Sequence, residues 1–117
     1  MNAFIAAPSP VLSSNNRALT DHPCTGVRLY TQPLVLLHGW GMDSQIWAQL
    51  PQQLRQFADV ITLDLPGFAQ SPTVQNYSSA GLYQWMAELL PERCYLIGLS
   101  LGGMLSCGFA ARYPQRV

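Results

Sequence analysis

The stretch that decides the fold is Cys94-Tyr-Leu-Ile-Gly-Leu-Ser-Leu-Gly-Gly103, in which an apolar run passes directly into a glycine-flanked serine. Ser100 is the centre of a Gly-x-Ser-x-Gly pentapeptide, and a helix-like pattern follows it. This placement is typical of a nucleophile elbow, a tight strand-to-helix turn that presents a serine hydroxyl for attack. Two alternatives are weaker. One is a serine that only caps the next helix, and the other is a phosphate-binding loop, for which the sequence lacks Gly-Lys-Ser/Thr.

Short apolar runs alternate with helical patterns through most of the chain. The runs at 34–37, 60–63 and 94–98 read as strands of a buried parallel sheet. Helical patterns follow at 79–90 and 101–113. This alternation predicts β-α-β units with right-handed crossovers. The predicted fold class is therefore α/β, a parallel sheet of three to four strands with flanking helices. In it, 34–37 lies between the other two strands, and 94–98 is an open apolar edge that favours aggregation.

Composition divides the chain into two parts. Residues 1–26 are rich in Ser, Asn, Pro and Ala without periodicity, which predicts a loose leader. Residues 27–117 are predicted to form one domain that begins with a short strand at 27–30. Asp43 or Ser44 is predicted to cap a helix that Pro51 either kinks or divides. The residues expected to face inward from that helix are Ile46, Trp47, Leu50, Leu54 and Phe57.

Charge and cysteine content restrict the classes of partner. Charged residues make up 10% of the chain, with six Arg, no Lys and six acidic residues. This balance provides no basic surface for nucleic acid or an anionic membrane. No apolar run approaches the length of a spanning helix, and residues 1–14 lack the pattern of a secretory signal.

The three cysteines are interpreted as reduced thiols because their spacing is not that of a metal site. They are Cys24, Cys94 and Cys107, and the last two are expected to be buried. We expect a cytoplasmic protein with no metal and no cofactor.

Two glycine-rich loops leave the carboxyl ends of predicted strands. His38-Gly-Trp-Gly41 follows the strand at 34–37, and the elbow follows the strand at 94–98. Ligands bind at this edge of a parallel sheet, so we expect the two loops to face each other across one cleft. Acyl transfer by a serine also requires donors for the developing oxyanion. We predict Ser100 as the nucleophile, with the backbone N–H groups of Leu101 and Trp40 as the donors.

Four spaced segments together resemble the α/β-hydrolase family: Leu34–Gly41, Asp64–Phe68 with Ser71, Gly98–Gly103 and Tyr113–Val117. Within it, the pattern is most similar to the carboxylesterases of biotin synthesis that demethylate pimeloyl-[acyl carrier protein] methyl ester. The resemblance implies that Trp40 and Leu101 form the oxyanion pair. It also implies a small acyl ester substrate with acyl carrier protein as its candidate carrier, and a monomer at full length. The sequence departs from the family at Ala69, at Leu99, where a bulkier aromatic is common, and in residues 1–26.

The family's chain order of Ser, then Asp or Glu, then His is not completed here. After Ser100 the sequence contains no Asp, Glu or His. We interpret His38 as a brace for its own loop rather than a base, Asp64 as a cap for the turn at 65–71, and His22 as a solvated side chain. Residues 27–117 are therefore expected to be a truncated α/β-hydrolase domain that is inactive by itself. Three alternatives stay open: another activity on this scaffold (C–C hydrolase, lyase, acyltransferase or haloperoxidase), a non-catalytic relic, or an interaction module.

Overall fold

A computed structural model describes residues 18–68, 71 and 77–117. Within these residues the chain forms a four-stranded sheet in the order β1-β3-β2-β4. The strands are β1 (Leu19–His22), β2 (Leu34–Leu37), β3 (Val60–Leu63) and β4 (Tyr95–Gly98). Strand β2 runs parallel to both of its neighbours, β3 and β4. The predicted α/β class and the central position of residues 34–37 are confirmed.

The outer strand β1 comes from the segment that was predicted to be a loose leader. It pairs antiparallel with β3. The strand predicted at 27–30 is absent: Val27 is exposed, and the amide of Leu29 donates to the carbonyl of Phe57 at 2.7 Å. The sequence gives little sign of β1 because its two central residues are polar and exposed at the edge of the sheet. Residues 1–17 lie outside the described part, and the leader boundary at 26 stays a prediction.

The hydrophobic core lies between the sheet and two helices, α2 (Ser79–Leu89) and α3 (Leu101–Arg112). The ends of both helices lie within one residue of the predicted ranges, so both predictions are confirmed. Helix α2 begins after Ser78, whose hydroxyl accepts the N–H of Gly81 at 3.1 Å. Trp85 packs half-buried against this core, as expected. The fully buried core side chains on the sheet and on these two helices include Val35, Leu37, Ile61, Leu63, Met86 and Phe109.

The segment after β2 forms two short helices, which confirms the second of the two outcomes predicted for Pro51. A 3-10 helix spans Ser44–Trp47, and the carboxylate of Asp43 accepts the N–H of Gln45 at its start. Helix α1 (Leu50–Leu54) follows with Pro51 in its first turn, so the proline starts a new helix. The break disrupts the helical period on which the inward face was predicted. Of the predicted inward residues, two are exposed (Ile46 and Phe57) and three are half-buried (Trp47, Leu50 and Leu54).

Arg116 ties the last residues of the chain to the end of α2. Its guanidinium lies 5.6 Å from the ring centre of Phe109 on α3. It also donates to four backbone carbonyls, those of Ala87, Leu90, Pro91 and Glu92. A cation is favourable at a helix C-terminus, where carbonyls lack helical partners. The Tyr113–Val117 segment therefore links the C-terminal end of α2 to α3.

Candidate active site

Ser100 lies at a sharp corner between β4 and α3. Its backbone has φ 55° and ψ −114°, in the region with positive φ that L-residues rarely adopt. Such a conformation costs about 1–3 kcal/mol and persists only where the surroundings impose it. The residue is exposed, and its side chain makes no capping hydrogen bond to α3. The alternative of a serine that merely caps the helix is therefore wrong.

Two glycines make this corner possible by allowing close backbone approach. The turn closes through a 2.9 Å hydrogen bond from the N–H of Gly102 to the carbonyl of Leu99. A Cβ on Gly98 would overlap the backbone of Gly102. A Cβ on Gly102 would overlap the carbonyl of Leu37 and would lie 2.6 Å from that of His38. The start of α3 is thus pressed against the end of β2 at Gly102.

The loop that follows β2 faces the elbow directly, and Gly39 is the point of contact. A Cβ built on this glycine would lie 3.3 Å from the Cβ of Ser100 and 3.2 Å from the carbonyl oxygen of Leu99. The two glycine-rich loops therefore border one cleft at the carboxyl edge of the sheet, which confirms the predicted arrangement.

Two backbone N–H groups adjoin this cleft. Leu101 is the first residue of α3, and the first N–H groups of a helix have no acceptor within it. The N–H of Trp40 has no acceptor among the residues that the structure describes. Both groups are available to an incoming oxygen, and the positive end of the α3 dipole adds to the field of the first. The indole of Trp40 is 68% exposed above the cleft.

His38 braces its loop and is excluded as a base for Ser100. The ring is fully buried, and its Nε2 accepts the N–H of Leu65 at 2.9 Å. The proton must therefore be on Nδ1, which donates to the carbonyl of Gly39 at 2.7 Å. With both ring nitrogens engaged, His38 holds the loop against the turn that follows β3. This role confirms the interpretation from sequence.

Phe68 completes the support of the same loop, and the sequence analysis missed this role. Its ring packs edge-on against His38 at 5.4 Å and against Trp40 at 5.3 Å between centroids. Tyr77 packs against Trp40 in the same manner at 6.4 Å, and partial desolvation raises the pKa of its hydroxyl. The available signal was the Pro66-Gly67 pair, a turn signal that bends the chain back towards the strand ends.

Asp64 caps a different element from the one expected. Its carboxylate, almost fully buried, accepts the N–H of Ser44 at 2.8 Å. That amide starts the 3-10 helix, so Asp64 links the end of β3 to the segment after β2. The turn itself is closed by backbone bonds, such as that from Phe68 N–H to the carbonyl of Leu65 at 3.0 Å. The prediction that Asp64 caps the turn at 65–71 is therefore wrong, because its carboxylate caps the 3-10 helix.

The cysteines and His22 lie away from the cleft loops. Cys94 is buried as predicted, and burial raises the pKa of its thiol to about 11, although Arg116 opposes the shift. Cys107 is exposed on α3, contrary to the expectation of a buried position. His22 is half-buried in β1 rather than solvated, and burial, together with Arg55, lowers its pKa. The structure describes all three cysteines, and each is a free thiol.

Two general features of the described residues bear on the class of site. They contain no group of three or more His, Cys, Asp or Glu side chains that could hold a metal ion. Among the helices formed by residues 18–68, 71 and 77–117, none has the length and apolar character needed to cross a membrane.

Solved structures with the same fold are hydrolytic enzymes by name. A probable hydrolytic enzyme from Pseudomonas aeruginosa superposes with a TM-score of 0.75 at 27% identity, over 85% of this chain and 33% of that one. An esterase from Thermogutta terrifontis gives 0.71 at 28% identity, over 85% and 36%. A marine microorganism esterase gives 0.74 over 85% and 38%, and at 23% identity it shows the fold alone.

Relatives identified by sequence similarity have names that describe a narrower class of enzyme. A pimeloyl-[acyl-carrier protein] methyl ester esterase from Aeromonas salmonicida is 42% identical over 86 residues, 72% of this chain and 34% of the relative. The biotin biosynthesis bifunctional protein BioHC of Cellvibrio japonicus is 46% identical over 88 residues, 74% of this chain and 18% of the relative. The chain thus spans about a third or less of these relatives' length. The alpha/beta hydrolase fold family model matches residues 32–117. The chain belongs to the alpha/beta hydrolase family.

Proposed function

We propose that this chain carries the nucleophile and oxyanion site of a serine carboxylesterase, which cleaves an acyl ester through an acyl-Ser100 intermediate. The observation that supports this most directly is the strained, exposed backbone of Ser100 beside the loop of Gly39. The strained corner together with the facing glycine-rich loop favours an enzyme site over an interaction module. The other activities of this scaffold share the elbow, and names of relatives favour the esterase among them.

The proposed reaction uses each element of the cleft in turn. The Ser100 hydroxyl loses its proton to a base as its oxygen attacks the ester carbonyl carbon. The carbonyl oxygen becomes an oxyanion, which the N–H groups of Trp40 and Leu101 stabilise. Collapse of this intermediate breaks the bond to the alkoxy group, which takes up the proton and departs as the alcohol. The base then takes a proton from a water molecule, whose oxygen attacks the acyl-serine carbonyl. The bond to the Ser100 oxygen breaks, that oxygen takes up the proton, and the carboxylic acid is released.

The names of the relatives suggest the substrate. Esterases from Aeromonas salmonicida and Edwardsiella ictaluri are named for pimeloyl-[acyl-carrier protein] methyl ester, at 42% and 37% identity. We propose the same substrate class here: the methyl ester of an acyl chain carried on acyl carrier protein, within biotin biosynthesis. We further propose a monomeric enzyme that acts in the cytoplasm without a cofactor.

The catalytic base and its carboxylate partner are proposed to come from outside these 117 residues. His38 is fully engaged in bracing its loop, and His22 lies on β1, at the far edge of the sheet from β4. Loss of the base in a well-studied serine protease lowers turnover on the order of 10⁶-fold. The 117 residues by themselves are therefore expected to show no measurable turnover.

A chimera tests the proposal directly. In this chimera, a segment of the Aeromonas salmonicida esterase is replaced by the part of this chain that aligns with it over 86 residues. We expect the chimera to hydrolyse p-nitrophenyl esters of short acids, and Ser100→Ala to reduce the rate to the uncatalysed background. Ser79→Ala, a serine on the exposed start of α2, is the matched control and should retain full activity.

Two results would contradict the proposal. The first is hydrolysis that persists in the Ser100→Ala chimera. The second is a chimera that has the circular dichroism and cooperative melting of a folded protein but no esterase activity.

A further inference from the structure

A groove adjoins the cleft on the side of the loop that follows β2. It has a volume of about 590 Å³, within the ~300–1,000 Å³ typical of small-molecule sites. Its apolar walls are the side chains of Met42, Ile46 and Phe68. The side chain of Ile46 is 48% exposed, an unusual position for an aliphatic residue that was expected to face the core.

The groove begins beside the nucleophile. The sulfur of Met42 and the Cβ of Ser100 each lie 3.3 Å from the position that a Cβ on Gly39 would occupy. Met42, which lines the groove, and Ser100 therefore both border the space beside Gly39. Phe68, which also lines the groove, packs against the indole of Trp40, the residue whose N–H is the proposed oxyanion donor. An ester whose carbonyl carbon is bound at Ser100 would therefore place either its acyl chain or its alkoxy group against this apolar surface.

We propose that this groove binds the acyl chain of the ester, a linear apolar chain of medium length, and that Met42 and Ile46 determine the preferred length. The inference rests on the proposed function, because it takes Ser100 as the point of attack. A flexible thioether beside the nucleophile suits a chain that must bend away from the carbonyl. Each methylene that the groove buries is expected to strengthen binding by about fourfold.

The proposed substrate class favours the acyl group over the alcohol as the occupant of the groove. The leaving alcohol of a methyl ester is methanol, which is far too small to fill a groove of about 590 Å³. The apolar walls formed by Met42, Ile46 and Phe68 instead match an acyl chain of several methylenes.

Methionine methyl signals test the groove without any catalysis. The 117-residue chain with Ser100→Ala is labelled with ¹³C at its methionine methyl groups and titrated with methyl hexanoate, then with methyl acetate. We expect a saturable shift of the Met42 signal with the hexanoate and a much smaller one with the acetate. Met104 on α3, 73% exposed and outside the groove, is the internal control. A shift at Met104 without one at Met42 would overturn the proposal.

Blocking the groove gives a second, independent measurement. Ile46→Glu should abolish the Met42 shift, whereas Val27→Glu, at a position 79% exposed elsewhere on the surface, should preserve it. In the chimera, Ile46→Glu should lower the ratio of kcat/KM for hexanoate over acetate esters by about tenfold. An unchanged ratio in a chimera that still depends on Ser100 would reject the groove and retain the serine mechanism. Loss of that dependence would instead reject the mechanism itself.

Discussion

Two non-glycine residues in the described part of the chain have positive φ, and they adopt nearly the same conformation. Ser100 has φ 55° and ψ −114°, and Ala48 has φ 52° and ψ −118°. Ala48 ends the 3-10 helix, exposed to solvent, with its N–H bonded to the carbonyl of Gln45. The conformation alone therefore does not mark a functional residue. The proposal that Ser100 is functional rests instead on its environment, a cleft lined by the loop of Gly39 and bordered by the N–H groups of Trp40 and Leu101.

This similarity predicts a matched effect on stability. Glycine removes the steric strain of positive φ, at the expense of a more flexible unfolded chain. We expect Ser100→Gly and Ala48→Gly each to raise the free energy of unfolding by about 1 kcal/mol. Ser100→Ala retains the Cβ and should give no such gain. Urea unfolding followed by circular dichroism measures all three, and destabilisation by both glycine variants would show that neither position is strained.

At the scale of elements, the elbow was predictable and β1 was not. The elbow depends on local pattern: an apolar run, then Gly98 and Gly102 around the serine, then a helical repeat. Strand β1 forms because β3 offers it an edge, which no local pattern in residues 19–22 reveals. The helix after β2 was predicted with the wrong inward face because Pro51 starts a new helix and changes the period.

The packing of α3 against β2 predicts unequal effects at adjacent glycines. A Cβ on Gly102 would meet backbone carbonyls, which cannot move aside, whereas one on Gly103 would have its nearest contact at 3.3 Å, the carbonyl oxygen of Gly98. We expect Gly102→Ala to destabilise the fold by about 3 kcal/mol. Gly103→Ala should be close to neutral, because alanine also favours the helix by up to about 1 kcal/mol. Chemical denaturation compares the two, and equal losses would contradict the close approach at the elbow.

At the scale of the whole molecule, the order of the strands brings the proposed site together. Strand β2 is central, so its loop lies beside the end of β4 on one side and the turn after β3 on the other. The glycine-rich loops in the sequence predicted that the loop after β2 lies beside the end of β4. The sequence did not predict the second of these neighbours, in which Phe68 packs on His38 and Trp40, because that contact depends on tertiary packing. Among the described residues, β4 is an edge strand of the sheet, as predicted, with Tyr95 and Ile97 exposed.

The central claim is that Ser100 is the nucleophile and that its base is supplied from outside the 117 residues. A fluorophosphonate probe, followed by peptide mass spectrometry, tests both halves in one experiment. We predict rapid labelling of the chimera at Ser100 and little or no labelling of the 117-residue chain, because the proposed base is absent from it. Rapid, stoichiometric labelling of the 117-residue chain, or labelling of the chimera at a residue other than Ser100, would contradict the claim.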